Sequence, residues 1–220
     1  LFLPASNARA LAKARTLACD LVILDLEDAV AEGDKDAARA AAVAATGEDW
    51  GGRVLAVRIN GPDSALHDAD VRALAALDGL ALAVLPKAED ALVVERVGAQ
   101  LAVPLLAMIE TPTGLYAARE IAALPCVAGL IVGPNDLAAS LRLPPGAGRA
   151  GLALALQMIL LAARAAGIVA FDGVYNRLDD QDGFAEDCRA GRLAGFDGKT
   201  LIHPSQIAPA NEAFGSSAQE

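Results

Sequence analysis

The sequence predicts an α/β protein of the (β/α)8 class, a TIM barrel, folded as one domain over residues 1–220. Three observations point there. Eight short apolar runs alternate with eight longer helical patterns. Most of the runs are continuously apolar rather than alternating, which is what burial on both faces of a parallel sheet requires. Polar residues able to do chemistry follow the runs, which in a barrel gathers them on the C-terminal face. A doubly wound open sheet, the competing arrangement, would scatter them along an edge.

The expected strands are residues 1–3, 21–26, 54–59, 82–85, 105–109, 129–132, 170–174 and 200–202. Helical patterns fill the intervals at 7–18, 34–45, 64–77, 90–100, 113–123, 135–141 extended by 151–166, 181–193 and 205–214. Glu27 and Asp28 follow the second strand, Arg58 the third, Lys87 the fourth, Glu110 the fifth, Asp136 the sixth and His203 the eighth. The apolar stretch 151–171 is long enough to resemble a membrane span, but Gln157 and Arg164 interrupt it on one helical face. The expectation is a helix buried on most of its circumference, with a narrow polar stripe, and a subunit interface rather than a membrane.

Composition narrows the function. The chain is 55% hydrophobic but only 4% aromatic, so its core is built from Ala, Leu and Val. A formal charge of −10 with no basic stripe argues against nucleic acid, and an anionic substrate needs a specific cationic pocket. Cys19, Cys126 and Cys188 are odd in number and have no metal-ligand spacing, as in a reduced intracellular protein. No signal peptide is visible, although the chain opens at Leu1 without Met, and the expected location is the cytoplasm.

Glu110 and Asp136 each follow a buried-strand run, so on one sheet they project from the same edge and can share a divalent cation. Two carboxylates completed by waters and substrate form the usual magnesium shell, and without His or Cys nearby zinc does not fit. Thr111-Pro112-Thr113-Gly114 turns the chain into a helix, placing free N–H groups near Glu110. Arg58 leaves an apolar strand and must meet an anion: Glu27, Asp28, or the carboxylate of a substrate gripped by its planar fork. Glu27 and Asp28 are expected to hold Lys35, Arg58 or a metal-bound water from behind the metal. Lys87 reads as an electrostatic stabiliser facing substrate rather than a Schiff-base nucleophile. His203 is either a substrate donor or a hydrogen-bonded structural imidazole; His67 reads as structural. Together these residues suggest an enzyme acting on a small oxo or hydroxy acid.

Leu1-Phe2-Leu3-Pro4, Ile23 to Val30 with Lys35 and Ala38-Arg39, Val57-Arg58-Ile59-Asn60, Leu85-Pro86-Lys87, Glu110-Thr111, Gly133 with Asp136-Leu137, and Gly195 to Lys199 running to Ile202-His203-Pro204-Ser205-Gln206 resemble the citrate lyase beta-subunit-like proteins of the HpcH/HpaI aldolase group. The resemblance implies a magnesium-dependent (β/α)8 lyase that cleaves or forms a carbon–carbon bond in a hydroxyacyl thioester such as citryl-, malyl- or citramalyl-CoA. By position, it implies Glu110 and Asp136 as metal ligands and Arg58 as the binder of the oxo-acid carboxylate, with Lys87 helping to stabilise charge. Family members often carry acids where this chain has Asn135 and Ser140, and related malyl-CoA lyases have a C-terminal lid where this chain ends soon after Phe214. The alternatives are a CoA-independent aldolase of pyruvate and aldehydes, and a non-catalytic subunit that binds metal and oxo acid. The resemblance and the apolar helix also imply a homo-oligomer, a trimer or hexamer.

Overall fold

The computed structural model describes residues 1–215, so the last five residues of the expected 1–220 domain lie outside the described residues. Eight parallel strands pair in sequence order: β1 (Phe2–Pro4), β2 (Leu21–Asp25), β3 (Val54–Arg58), β4 (Leu82–Leu85), β5 (Leu105–Ile109), β6 (Val127–Val132), β7 (Val169–Asp172) and β8 (Gly198–Lys199). The sheet curls until its edges meet, where the Phe2 N–H donates to the Leu201 carbonyl at 2.8 Å. This is the expected (β/α)8 barrel.

Alternation along the strands sorts side chains into two layers. Phe2, Ile23, Ala56, Val84, Leu106, Met108 and Ile131 point into the lumen, while neighbours such as Leu24, Val57, Ile109 and Leu130 face the helices. That parity places the site. Two residues beyond Ile23, Ala56 and Met108, still on the lumen side, come Asp25, Arg58 and Glu110.

The outer ring comprises α1 (Ala8–Ala14), α2 (Lys35–Thr46), α3 (His67–Ala75), α4 (Ala91–Leu101), α5 (Pro112–Ala122), α6 (Pro134–Ser140), α7 (Gly148–Ala166), α8 (Gln181–Ala194) and α9 (Ile207–Phe214). Side-chain caps start several of them: Asn7 accepts from Ala10 N, Asp90 from Leu92 N, and Thr111 from Gly114 N, with Pro112 at the first turn of α5. Small residues such as Ala38, Ala42 and Ala45 form the buried face of α2 and let it lie close to the strands.

Two expectations need correction. The last strand is Gly198–Lys199 rather than residues 200–202. The hydropathy pattern hides it because Lys199 is polar although its side chain is buried, with Nζ bonded to Asp172 (3.0 Å), Asp187 (2.6 Å) and the Gly173 carbonyl (2.6 Å). Helix α7 is also less buried than expected. Leu152, Ala155, Leu156, Ile159, Leu160 and Ala163 pack inward, but Leu154 and Leu161 are 75% and 68% exposed. A helix that is Ala and Leu all round does not reveal from sequence which side the barrel takes. The length and composition of α7 would let it cross a membrane, and here it lies against β6, β7 and α5.

Candidate active site

The site is built from the C-terminal ends of β2 to β6. Asp25 and Arg58 are register partners at the ends of β2 and β3. Asp25 accepts Arg58 Nε on Oδ1 at 2.7 Å and Nη2 on Oδ2 at 2.5 Å. The same two oxygens accept the Glu27 and Ala29 N–H groups, each at 2.9 Å, which folds the turn after β2 around the carboxylate. Arg58 Nη1 lies 3.2 Å from Glu27 Oε2 and 3.4 Å from Asp28 Oδ2, and the guanidinium sits over the Phe2 ring at 5.0 Å. Burial alone would lower the pKa of Arg58; its hydrogen bonds and charge pairing with Asp25, helped by Glu27 and Asp28, reverse that and keep it cationic.

Glu110 follows β5 and is 4% exposed. Its Oε1 accepts the Lys87 backbone N–H at 2.7 Å. That donor is aimed by a left-handed backbone at Lys87, φ 49°, a conformation costly for a residue with a side chain. Gly133 packs against the same carboxyl so closely that a Cβ there would lie 2.5 Å from Glu110 Oε2. Burial pushes the Glu110 pKa up to about 7, with the charges of Glu27 and Asp136 adding to the rise and the Lys87 N–H opposing it. Burial likewise raises Glu27, against the pull of Arg58 and Lys87.

Asp136 sits in the first turn of α6, where the partial positive charge of the helix end favours a carboxylate. Beside it, Asn135 Oδ1 accepts Asn176 Nδ2 at 2.6 Å, joining the first turn of α6 to the β7–α8 loop.

Arg58, Glu110, Asp136 and Asp28 line one cavity of about 270 Å³. With Asp25, this wall carries four carboxylates against one guanidinium, and Asp25 already holds the guanidinium. The surplus negative charge suits a hard cation with oxygen ligands. No cluster of three or more His, Cys, Asp or Glu forms a metal cage among the described residues. A cation that keeps its waters needs only two protein carboxylates, so Glu110 and Asp136 suffice.

Several expected residues stand elsewhere. Lys87 is not among the residues that line the cavity; its Nζ pairs with Glu27 Oε1 at 3.0 Å. Lys35 holds the turn through the Leu26 and Glu27 carbonyls and Asn60 Oδ1, not through the Glu27 or Asp28 carboxylates. His203 caps the turn before α9, accepting from Ser205 N, and His67 bonds the Asn60 carbonyl. Sequence reasoning missed Asp25, although an acid inside the apolar run at 21–26 demands a cationic partner as strongly as Arg58 demands an anion.

Known proteins resemble this chain over nearly its whole length. The model of the HpcH/HpaI aldolase/citrate lyase family matches residues 1–204. A (3S)-malyl-CoA thioesterase of Cereibacter sphaeroides (strain ATCC 17025 / ATH 2.4.3) is 45% identical over 223 residues, covering 100% of this chain and 78% of that protein. The citrate lyase subunit beta of Leuconostoc mesenteroides subsp. cremoris is 33% identical over 237 residues, covering 100% and 77%. Among solved structures, the protein CitE from Mycobacterium tuberculosis in complex with magnesium, acetoacetate and coenzyme A superposes with a TM-score of 0.86 at 35% identity, covering 99% of this chain and 80% of that one. The chain therefore belongs to the HpcH/HpaI aldolase/citrate lyase family, as a citrate lyase beta-like member.

Proposed function

We propose that this protein is a magnesium-dependent carbon–carbon lyase that cleaves or forms a hydroxyacyl-CoA thioester such as malyl-, citryl- or citramalyl-CoA, with an oxo acid and an acyl-CoA on the other side of the reaction. One observation carries the reading: Glu110 and Asp136 share a cavity with Arg58. The related CitE complex with magnesium, acetoacetate and coenzyme A supports the ligand classes.

Glu110 and Asp136 would hold the metal. Bound there, magnesium supplies Lewis-acid polarisation of the oxo-acid carbonyl. Arg58 binds the carboxylate and, being held cationic, stabilises negative charge developing beside it. Glu27 and Asp28 face the same guanidinium, and Asp28, on the cavity wall, would be the acid to hold a water of the bound metal. Lys87 acts through its neighbours, orienting Glu110 with its N–H and neutralising Glu27 with its ammonium.

The 45% identity to a malyl-CoA thioesterase favours a second reading, hydrolysis of the thioester. A product assay with (3S)-malyl-CoA and magnesium separates the two. Carbon–carbon cleavage yields glyoxylate and acetyl-CoA; hydrolysis yields malate and free CoA. The lyase reading expects glyoxylate, lost on chelation; glyoxylate release that ignores chelator would overturn it, and malate with free CoA in its place would establish hydrolysis.

Because Glu110 is protonated below about 7 in the metal-free protein, magnesium must displace that proton. Apparent affinity is expected to rise by about tenfold per pH unit below 7 and level off above it. Calorimetry in buffers of different ionisation enthalpy checks this; an affinity constant from pH 5.5 to 8 contradicts it.

We place the protein in the cytoplasm, as one catalytic unit in a homo-oligomer, a trimer or hexamer. Exposed Leu154 and Leu161 on α7 support association. Sedimentation velocity at micromolar concentration is expected to show an oligomer, and a monomer would refute that part of the reading.

A further inference from the structure

We propose that Asp25 is the positioning residue that sets affinity for the oxo-acid carboxylate, by fixing the side edge of the Arg58 guanidinium so that only its end edge is offered to substrate. This rests on the proposed role of Arg58 in binding that carboxylate.

A guanidinium presents two bidentate edges: Nε with Nη2 along the side, and Nη1 with the second Nη2 proton at the end. Asp25 occupies the side edge, with contacts of 2.7 and 2.5 Å. Asp25 is itself immobile, being 1% exposed and holding the Glu27 and Ala29 N–H groups on the same oxygens. Phe2 packs against the guanidinium face, so the plane has little freedom to turn. The one nitrogen not bonded to Asp25 is Nη1, and its neighbours are Glu27, the 61%-exposed Asp28 and the Met108 sulfur. The substrate carboxylate thus meets a pre-aimed end edge and bears no cost of ordering the arginine. Without Asp25, the guanidinium would be free to turn its side edge toward the buried Glu27 Oε2, which has no aligned hydrogen bond at present. Asp25 thus holds Arg58 through one edge, and on the other the substrate carboxylate takes the place of the longer 3.4 Å contact that Nη1 makes with the exposed Asp28.

The test uses pyruvate as the oxo-acid probe. In Asp25→Asn, an amide NH2 faces Nη2 in place of an acceptor. Calorimetry in saturating magnesium is expected to show pyruvate binding weakened about 10- to 100-fold, with magnesium affinity changed less than about twofold. Arg58→Ala should weaken pyruvate at least as much, and the double variant no further. If Arg58→Ala weakens pyruvate and a folded Asp25→Asn does not, the positioning role is overturned. If Arg58→Ala itself has no effect, the proposed substrate role of Arg58 fails instead. Should Asp25→Asn not fold, 15N spectra of arginine side chains in the wild-type protein decide. Separate, slowly exchanging Arg58 Nη signals without substrate support the clamp, and a single averaged signal overturns it.

Discussion

Glu110→Gln is expected to abolish magnesium-dependent turnover, by on the order of 10³-fold or more, while leaving the metal-free protein at pH 8 at least as stable as wild type. The two halves have opposite signs for one reason. Glutamine keeps an oxygen where Glu110 Oε1 accepts the Lys87 N–H, so the local fold retains its hydrogen bond. It replaces the other oxygen with a donor that has no lone pair for a cation. Stability follows the pKa. A carboxyl raised from an ordinary value near 4.5 to about 7 binds more protons folded than unfolded between those limits. Its contribution is fully present below 4.5 and is lost as pH rises through 7. At pH 8 the wild-type protein therefore carries a buried charge beside Glu27 and Asp136 that the variant lacks. Denaturation midpoints in chelator at pH 5.5 and 8 should fall with pH for wild type and fall less for Glu110→Gln. Retained turnover with magnesium, or a variant clearly less stable at pH 8, would falsify the assignment of this carboxylate.

The barrel was legible because it depends on periodicity, and continuous apolar runs survive small errors at their ends. The sequence reading and the structure agree at 82–85 and 105–109, where nothing polar interrupts the strand. They part at β8, where the ion pairs that bury Lys199 are long-range and leave no local trace. The meeting of Glu110, Asp136 and Arg58 was legible for a related reason. Parallel strands all end on one face, so an acid or base just after a buried run has one destination. Which polar group partners which was not legible. Arg58 was expected to meet Glu27, Asp28 or a substrate carboxylate, and strand register gives it Asp25 instead, the acid lying directly across from it. Lys87 was expected to face substrate, but its left-handed backbone turns the N–H onto Glu110 and leaves its ammonium to Glu27. Such a dihedral angle at a non-glycine residue has no signature in the sequence.

Gly133→Ala is expected to cost about 1–3 kcal/mol of stability and about 10²-fold or more in magnesium-dependent turnover, a large effect for one methyl group. The backbone is not the obstacle, since Gly133 has φ −101°, which alanine adopts freely. The obstacle is Glu110. A Cβ on residue 133 would lie 2.4 Å from Glu110 Cβ and 2.5 Å from its Oε2. A rotamer change can move the carboxyl oxygen away, and with it the proposed metal ligand, but Cβ is fixed to the main chain. Relief of that second collision requires the ends of β5 and β6 to separate, which strains the 3.0 Å bond from Gly133 N to the Ile109 carbonyl. Either movement displaces Glu110 relative to Asp136, which starts only three residues after the glycine. Gly33→Ala makes the control, because a Cβ there meets nothing within 4 Å. Thermal melts with and without magnesium, beside turnover, distinguish the outcomes. A variant that melts lower but keeps its magnesium-induced shift would mean the cation does not depend on the carboxyl oxygen beside Gly133. A variant that loses the shift while remaining folded ties metal binding to the contact between residues 110 and 133, the point where two strands that are neighbours in the barrel bring the two acids together.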